Sequence, residues 1–134
     1  RDAGLEVTAS FILGLPGEDK EDVLRTIDLA IELDPDYAQF FVWKVYSQKN
    51  PFPELGHVDP EWDLSPIDFR GPVFVPRAFS SKQELKALQR LAYRRFYLRP
   101  RYIRRRLPDL LSLGQMQRAA AGLATLAKAS LGRR

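Results

Sequence analysis

Cysteine is absent from this 134-residue chain, and histidine occurs once, at position 57. The missing thiols exclude disulfides and local thiolate ligation of a metal. No acid/base or metal-ligating cluster replaces them, so a reactive centre, if the protein has one, is expected outside these residues. The absence of cysteine does not decide the compartment. No apolar run reaches the roughly 18 residues of a membrane span, and no signal peptide is visible. Acidic side chains are scarce in one half only. Residues 1–65 carry a balance of −9, and residues 66–134 carry +13 with only three acids. Such polarity suggests two segments with different tasks, or two segments that pack against each other.

The chain is otherwise of globular composition, 45% hydrophobic and 28% charged, long enough for one modest core. Glu6 to Leu13 alternates, with Val7, Ala9, Phe11 and Leu13 on one face and Glu6, Thr8, Ser10 and Ile12 on the other. A strand with one apolar and one mixed face suits a barrel whose lumen holds a polar ligand. Gly14-Leu15-Pro16-Gly17 ends it abruptly. Lys20 to Leu33 predicts a helix with Val23, Leu24, Ile27, Ala30 and Ile31 on one stripe, acidic residues at its start and Asp34-Pro35-Asp36 at its end.

Tyr37 to Tyr46 predicts a second strand, apolar enough to be covered on both faces. Strand, helix and strand together make a parallel βαβ unit of an α/β protein. The turn then lies at the strand's C-terminal end, the edge where such folds bind ligands. The chain begins at Arg1 within this pattern, so it is expected to be a piece of a larger protein. Six of the ten prolines fall between Ser47 and Phe79, where no periodicity shows and a covering loop or linker is expected. Ser81 and Glu84 have capping-box spacing ahead of a helix that carries Leu85, Leu88, Leu91, Ala92 and Phe96 inward. Pro100 ends or kinks it, and Gln115 to Leu131 reads as an Ala-rich helix. The expected parts are a βαβ portion over 1–49, a Pro-rich loop over 50–80 and a basic helical tail over 81–134.

The Phe11-Ile12-Leu13-Gly14-Leu15-Pro16-Gly17-Glu18 strand and turn, the Asp34-Pro35-Asp36 strand start and the Tyr93 to Pro100 run stand in a familiar order. Together they resemble the last two βα units of the partial (β/α) TIM barrel of radical S-adenosylmethionine enzymes, with the helical tail of their cobalamin-binding branch. The resemblance covers roughly residues 3–107. It implies an iron–sulfur, metal-binding enzyme of the cytoplasm, with S-adenosylmethionine and a 4Fe–4S cluster as cofactors and cobalamin as a further one. It implies methyltransferase or ring-forming chemistry at an unactivated carbon of a small-molecule, lipid or tetrapyrrole substrate. The cluster cysteines of that family precede these residues, so the piece alone is expected to be inactive.

In that family a G-x-I-x-G-x-x-E pattern on the fifth strand supports the adenine of S-adenosylmethionine. Ile12 and Gly14 match its central positions, Ser10 stands for the first Gly, Gly17 for the Glu, and Glu18 lies one further on. The resemblance therefore implies a cofactor-binding set of Ser10, Ile12, Gly14, Leu15, Pro16 and Gly17. After the next strand the family's Pro-Tyr-Pro-Gly-Thr is replaced by Val45-Tyr46-Ser47-Gln48-Lys49-Asn50-Pro51.

Each residue also has a plainer reading. Gly14 and Gly17 admit a close ligand, or serve turn geometry alone. Glu18, at a helix start, reads as a capping group. His57 has no ligand-type neighbour and reads as a solvated or packed residue. Trp43, Trp62 and Tyr46 line a cavity or belong to the core. Arg94, Arg95, Arg99, Arg101, Arg104, Arg105 and Arg106, interleaved with Tyr93, Tyr97 and Tyr102, suit an anionic surface or a solvated face pairing with the acidic half. Peripheral membrane contact is the expected partner. Nucleic acid fits less well because no reader motif accompanies the run. A non-catalytic basic helical module is the alternative to an enzyme.

Overall fold

The structure is a computed structural model that describes residues 4–45, 50–63 and 71–110. It comprises two compact units, Arg1–Tyr97 and Leu98–Arg134. In the first, strand β1 (Thr8–Leu13) leads through the glycine turn into helix α1 (Lys20–Leu33) and back to strand β2 (Tyr37–Val42). β1 and β2 pair in parallel, Thr8 opposite Tyr37 and Leu13 opposite Val42. The βαβ unit thus forms as the alternation and crossover length predict.

Asp19 starts α1 rather than Glu18. Its carboxylate accepts the Asp22 N–H at 3.0 Å while the Asp22 carboxylate accepts the Asp19 N–H at 3.1 Å, a reciprocal capping box. The N–H of Asp22 holds the Asp19 carboxyl below its ordinary value. Asp34 closes the helix in the left-handed conformation, at φ 46°. The Asp36 carboxylate then accepts the Val7 N–H at 2.9 Å and ties the two strand starts together.

The expectation that β2 is covered on both faces fails. Ala38, Phe40 and Val42 are buried, whereas Tyr37 and Gln39 are exposed and Phe41 is half-buried. β1 shares this parity, with Thr8, Ser10 and Ile12 on the open face. Among the described residues of this unit, α1 packs on β1 and the Lys82–Tyr97 helix on β2. The core there gathers Leu13, Val23, Ile27, Phe40, Leu85 and Phe96, all fully buried.

The Pro-rich stretch, expected to lack regular structure, carries an antiparallel pair, β3 (Gly56–Asp63) and β4 (Gly71–Pro76). A register shift between Val58 and Trp62 absorbs Pro60, and proline interrupts the alternation that would have revealed the strands. β2 ends at Val42 instead of Tyr46, because the chain there turns to the hairpin. Lys44 bridges Val73, and the Val45 N–H donates to the Pro72 carbonyl at 3.1 Å. The Lys44 ammonium is buried against Asp63 at 3.1 Å, and Lys86 pairs with the same carboxylate.

Helix α2 (Lys82–Tyr97) packs beside α1 and over β2. Leu85, Leu88, Ala92 and Phe96 point inward as predicted, whereas Leu91, expected with them, is half-buried and Gln89 takes a buried place instead. Glu84 accepts the Ser80 N–H at 3.0 Å, one residue before the position a capping box would use. The side chains of Gln89, Tyr93 and Tyr97, one helical turn apart, meet the outer edge of β2. The Tyr97 hydroxyl accepts the Ala38 N–H at 3.0 Å and donates to the Ala38 carbonyl at 2.8 Å. The Tyr93 hydroxyl accepts the Phe40 N–H at 3.1 Å, and Gln89 Nε2 donates to the Phe40 carbonyl at 2.7 Å. A helix therefore satisfies main-chain groups that a further strand would otherwise pair, and this edge is closed to strand addition.

The second unit contains helix α3 (Pro100–Leu110). The guanidinium groups of Arg99 and Arg105 lie 5.8 and 5.4 Å from the Tyr102 ring centre, at cation–π distance. Ile103 and Leu107, one turn apart, are exposed among exposed Arg101 and Arg104. The Gln115–Leu131 helix expectation, Tyr46 and the side chain of Trp62 lie outside what the structure describes.

Candidate functional site

The turn that follows β1 is built by glycine conformation and one carboxylate. Gly14 and Gly17 adopt φ of +78° and +88°, the left-handed region that glycine enters without steric cost. The Glu18 carboxylate bends back onto the turn, where a single oxygen accepts the N–H of Gly14 at 2.8 Å and of Leu15 at 2.9 Å. Glu18 is thus a brace for the turn rather than the helix cap expected of it. Its own N–H donates to the Leu15 carbonyl at 3.0 Å, which closes the loop.

The two glycines differ in surroundings. A Cβ on Gly14 would lie 2.9 Å from Leu85 Cδ2, inside the core, whereas one on Gly17 would meet nothing within 4 Å. The close approach that Gly14 permits is therefore made by α2. Of the residues singled out by resemblance, Ser10 and Ile12 lie on the open strand face, Leu15 and Gly17 are exposed, Pro16 is half-buried and Gly14 is buried. Ile12 and Leu15 leave 46% and 37% of their surface to solvent, an apolar ledge at the C-terminal end of β1. Beside it the Ser10 hydroxyl donates to the Gln39 Oε1 at 3.3 Å, so a hydroxyl and a carboxamide sit on the same face. Nothing local in the sequence marks Gln39; its register opposite Ser10 sets it on the open face. Such a surface suits a flat heterocycle with polar edges.

The aromatic residues divide. Trp43 is half-buried, with ring centres of Phe74 and Phe52 at 5.1 and 6.1 Å, and packs between β2 and the hairpin. Tyr93 packs edge-on against Phe40 at 5.3 Å. With their hydroxyls on β2, Tyr93 and Tyr97 belong to the fold and not to a basic docking stripe. His57 is exposed on β3, as a solvated histidine would be.

A second cleft, about 270 Å3, is lined by Asp63, Lys82, Gln83, Lys86 and Arg90. Its lysines are already engaged. Lys82 meets Asp59 at 3.0 Å and Glu61 at 2.5 Å, and Lys86 meets Asp63. Burial works to lower the Lys82 pKa, but its bonds to Glu61 and Asp59 outweigh this and raise it. Burial likewise opposes ionisation of Asp59, and the Glu61 N–H and Lys82 together still hold its carboxyl below the ordinary value. These pairs, with Arg95 to Asp28 at 2.7 Å, join basic residues of the second half to acids of the first. Among the described residues no group of His, Cys, Asp or Glu side chains could hold a metal ion, and no helix is long and apolar enough to cross a membrane.

No protein-family model matches the chain, and no solved structure does. Curated proteins do match. The chain is 36% identical over 110 residues to an uncharacterized methyltransferase of Pyrococcus horikoshii, a match that covers 75% of this chain and 22% of the relative. It is 30% identical over 99 residues to the anaerobic magnesium-protoporphyrin IX monomethyl ester cyclase of Cereibacter sphaeroides, covering 74% of this chain and 16% of that one. The enzyme of the same name from Rubrivivax gelatinosus is 27% identical over 103 residues, covering 77% and 18%. The chain thus spans about a fifth of the length of these relatives. A parallel βαβ unit with a braced glycine turn is, in sequence, similar to part of proteins named as a methyltransferase and as cyclases.

Proposed function

We propose that this chain is part of a radical S-adenosylmethionine enzyme, two βα units of its partial barrel, and that the open face of β1 and β2 forms part of the wall around the adenosyl group. The observation that carries the reading is the exposed ledge of Ile12 and Leu15 beside Ser10 and Gln39, at the C-terminal end of parallel strands. The relatives named methyltransferase and cyclase support it. These residues fit adenosine: the ledge takes the base by its plane, and the hydroxyl and carboxamide offer hydrogen bonds to its edge or ribose. Gly17 leaves its main chain uncovered. Gly14 acts through α2, and Glu18 keeps the turn in shape from behind. When bound, S-adenosylmethionine with its 4Fe–4S cluster supplies a radical that takes hydrogen from an unactivated carbon. The cluster ligands belong elsewhere in the full-length protein, as does any cobalamin site.

The full-length protein, reconstituted with iron and sulfide and reduced, is expected to cleave S-adenosylmethionine to 5′-deoxyadenosine. A protein that assembles a cluster yet neither binds nor cleaves S-adenosylmethionine would refute the reading.

We propose in addition that the substrate is reached at a membrane surface. A lipid or tetrapyrrole substrate would favour work at a membrane surface, and α3 has the means: exposed Ile103 and Leu107 among exposed arginines. Each arginine near an anionic bilayer contributes about 1 kcal/mol. Co-sedimentation with anionic vesicles is therefore expected at low salt and should fade as salt rises. Equal recovery with neutral vesicles removes the arginine charge from the account, and no recovery with either removes the membrane.

A further inference from the structure

A groove of about 390 Å3 opens beside the turn, lined by Gly17 and Glu18 and, from the ends of the hairpin, by Glu54, Leu55, Arg77 and Ala78. Its size falls within the about 300–1,000 Å3 usual for small-molecule sites. Main-chain bonds hold its frame. The Arg77 N–H donates to the Leu55 carbonyl at 2.7 Å, and the Leu55 N–H to the Phe52 carbonyl at 3.0 Å. The Gly17–Glu18 side is fixed by the Glu18 brace on Gly14 and Leu15.

The charges in this groove are distinctive. One Glu18 oxygen is occupied by two N–H groups. Glu54 and Arg77 are exposed, and among the described residues no hydrogen bond or ion pair engages either side chain, including one between them. Opposite charges that share a groove without pairing match a ligand that brings both signs. A purely anionic ligand would face two carboxylates for one guanidinium, and a purely cationic one would face Arg77.

We propose that the groove binds an α-amino-acid head group, its carboxylate on the fork of Arg77 and its ammonium on Glu54, with its side chain against Leu55 and Ala78. This goes beyond the adenosyl reading and stands without it. The head group has two sources, a separate amino-acid ligand or the amino-acid end of S-adenosylmethionine itself.

The test is calorimetric titration of the full-length protein with L-leucine, with N-acetyl-L-leucine, which lacks the ammonium, and with L-leucinamide, which lacks the carboxylate. S-adenosylmethionine is titrated separately. L-leucine is expected to bind, with either half-charged analogue about tenfold or more weaker. Arg77→Gln and Glu54→Gln should each weaken L-leucine by about tenfold or more, and Arg77→Lys by less. Both side chains are exposed, so the fold should survive, and thermal melts check this. Unchanged S-adenosylmethionine affinity in both variants assigns the groove to a separate amino acid. Parallel losses for L-leucine and S-adenosylmethionine assign it to the cofactor's own amino-acid end. Equal binding of L-leucine and its acetylated analogue overturns the proposal, as does absence of L-leucine binding with S-adenosylmethionine unaffected by either variant. Should the protein fail to bind S-adenosylmethionine at all, the adenosyl reading falls, while Arg77-dependent L-leucine binding would still sustain the groove.

Discussion

Replacing Gly14 with valine is expected to destabilise the protein by about 3 kcal/mol, irrespective of any ligand. Two costs combine. At φ +78° a β-branched residue is strained by roughly 1–2 kcal/mol. Its Cβ would also lie 2.9 and 3.2 Å from the two methyl carbons of Leu85, and Leu85 is fully buried, so it has little room to yield. Overpacking of this kind costs about 1–3 kcal/mol. Denaturant unfolding of Gly14→Val, Leu85→Ala and the double variant separates the parts. The double variant should be less destabilised than the sum of the singles by about 1 kcal/mol or more. Additive effects would mean that Leu85 does not confine this glycine. A loss of S-adenosylmethionine binding in Gly14→Val, which the resemblance invites one to read as a blocked adenine, is accordingly not diagnostic.

The second large effect concerns the edge of β2. Changing Tyr93 and Tyr97 together to phenylalanine should cost about 2–4 kcal/mol, although both rings stay in place. The ring contacts of Tyr93 with Phe40 at 5.3 Å and of Tyr97 with Phe96 at 4.9 Å survive the change. What is lost is the partner of the Ala38 N–H and carbonyl and of the Phe40 N–H, on a strand whose Ala38 and Phe40 are buried. Leaving such a group unpaired costs up to about 1–3 kcal/mol, and at these three part-buried bonds water offsets part of the loss. The Phe40 carbonyl keeps Gln89. Hydrogen exchange at Ala38 and Phe40 should accelerate with the stability loss. A loss under about 0.5 kcal/mol would mean that water fills in and the tyrosines do not close the edge.

These two cases show where the sequence was legible. The β1 alternation, the α1 stripe from Val23 to Ala30 and the Asp34 stop are local patterns, and the structure follows them. The hairpin was hidden because Pro60, Pro72 and Pro76 break the period of two by which strands are read. Gln89, Tyr93 and Tyr97 do recur at one helical turn. The dense arginines around the tyrosines favour a reading by charge, and nothing local says that a polar stripe on a helix will meet a strand edge. A carboxylate at Glu18 suits the helix dipole, so the sequence favours a capping role there. Only the folded turn shows the Gly14 and Leu15 N–H groups converging on it. Arg77 stands alone in a Pro-rich stretch, without a pattern; its groove exists only once the hairpin ends meet the turn.

The adenosyl reading rests on the ledge, and Ile12→Glu probes it with little disturbance of the core. Ile12 is 46% exposed on the open face, so a carboxylate there is tolerated by the fold. It would place a charge where the base is proposed to lie flat, and an unpaired charge brought out of water against a heterocycle is costly. In equilibrium binding to the full-length protein, S-adenosylmethionine affinity should fall about tenfold or more, roughly 1.4 kcal/mol per factor of ten. The thermal midpoint should stay within a few degrees of the parent. Unchanged affinity in a folded Ile12→Glu protein would contradict a role for this face in holding the adenosyl group.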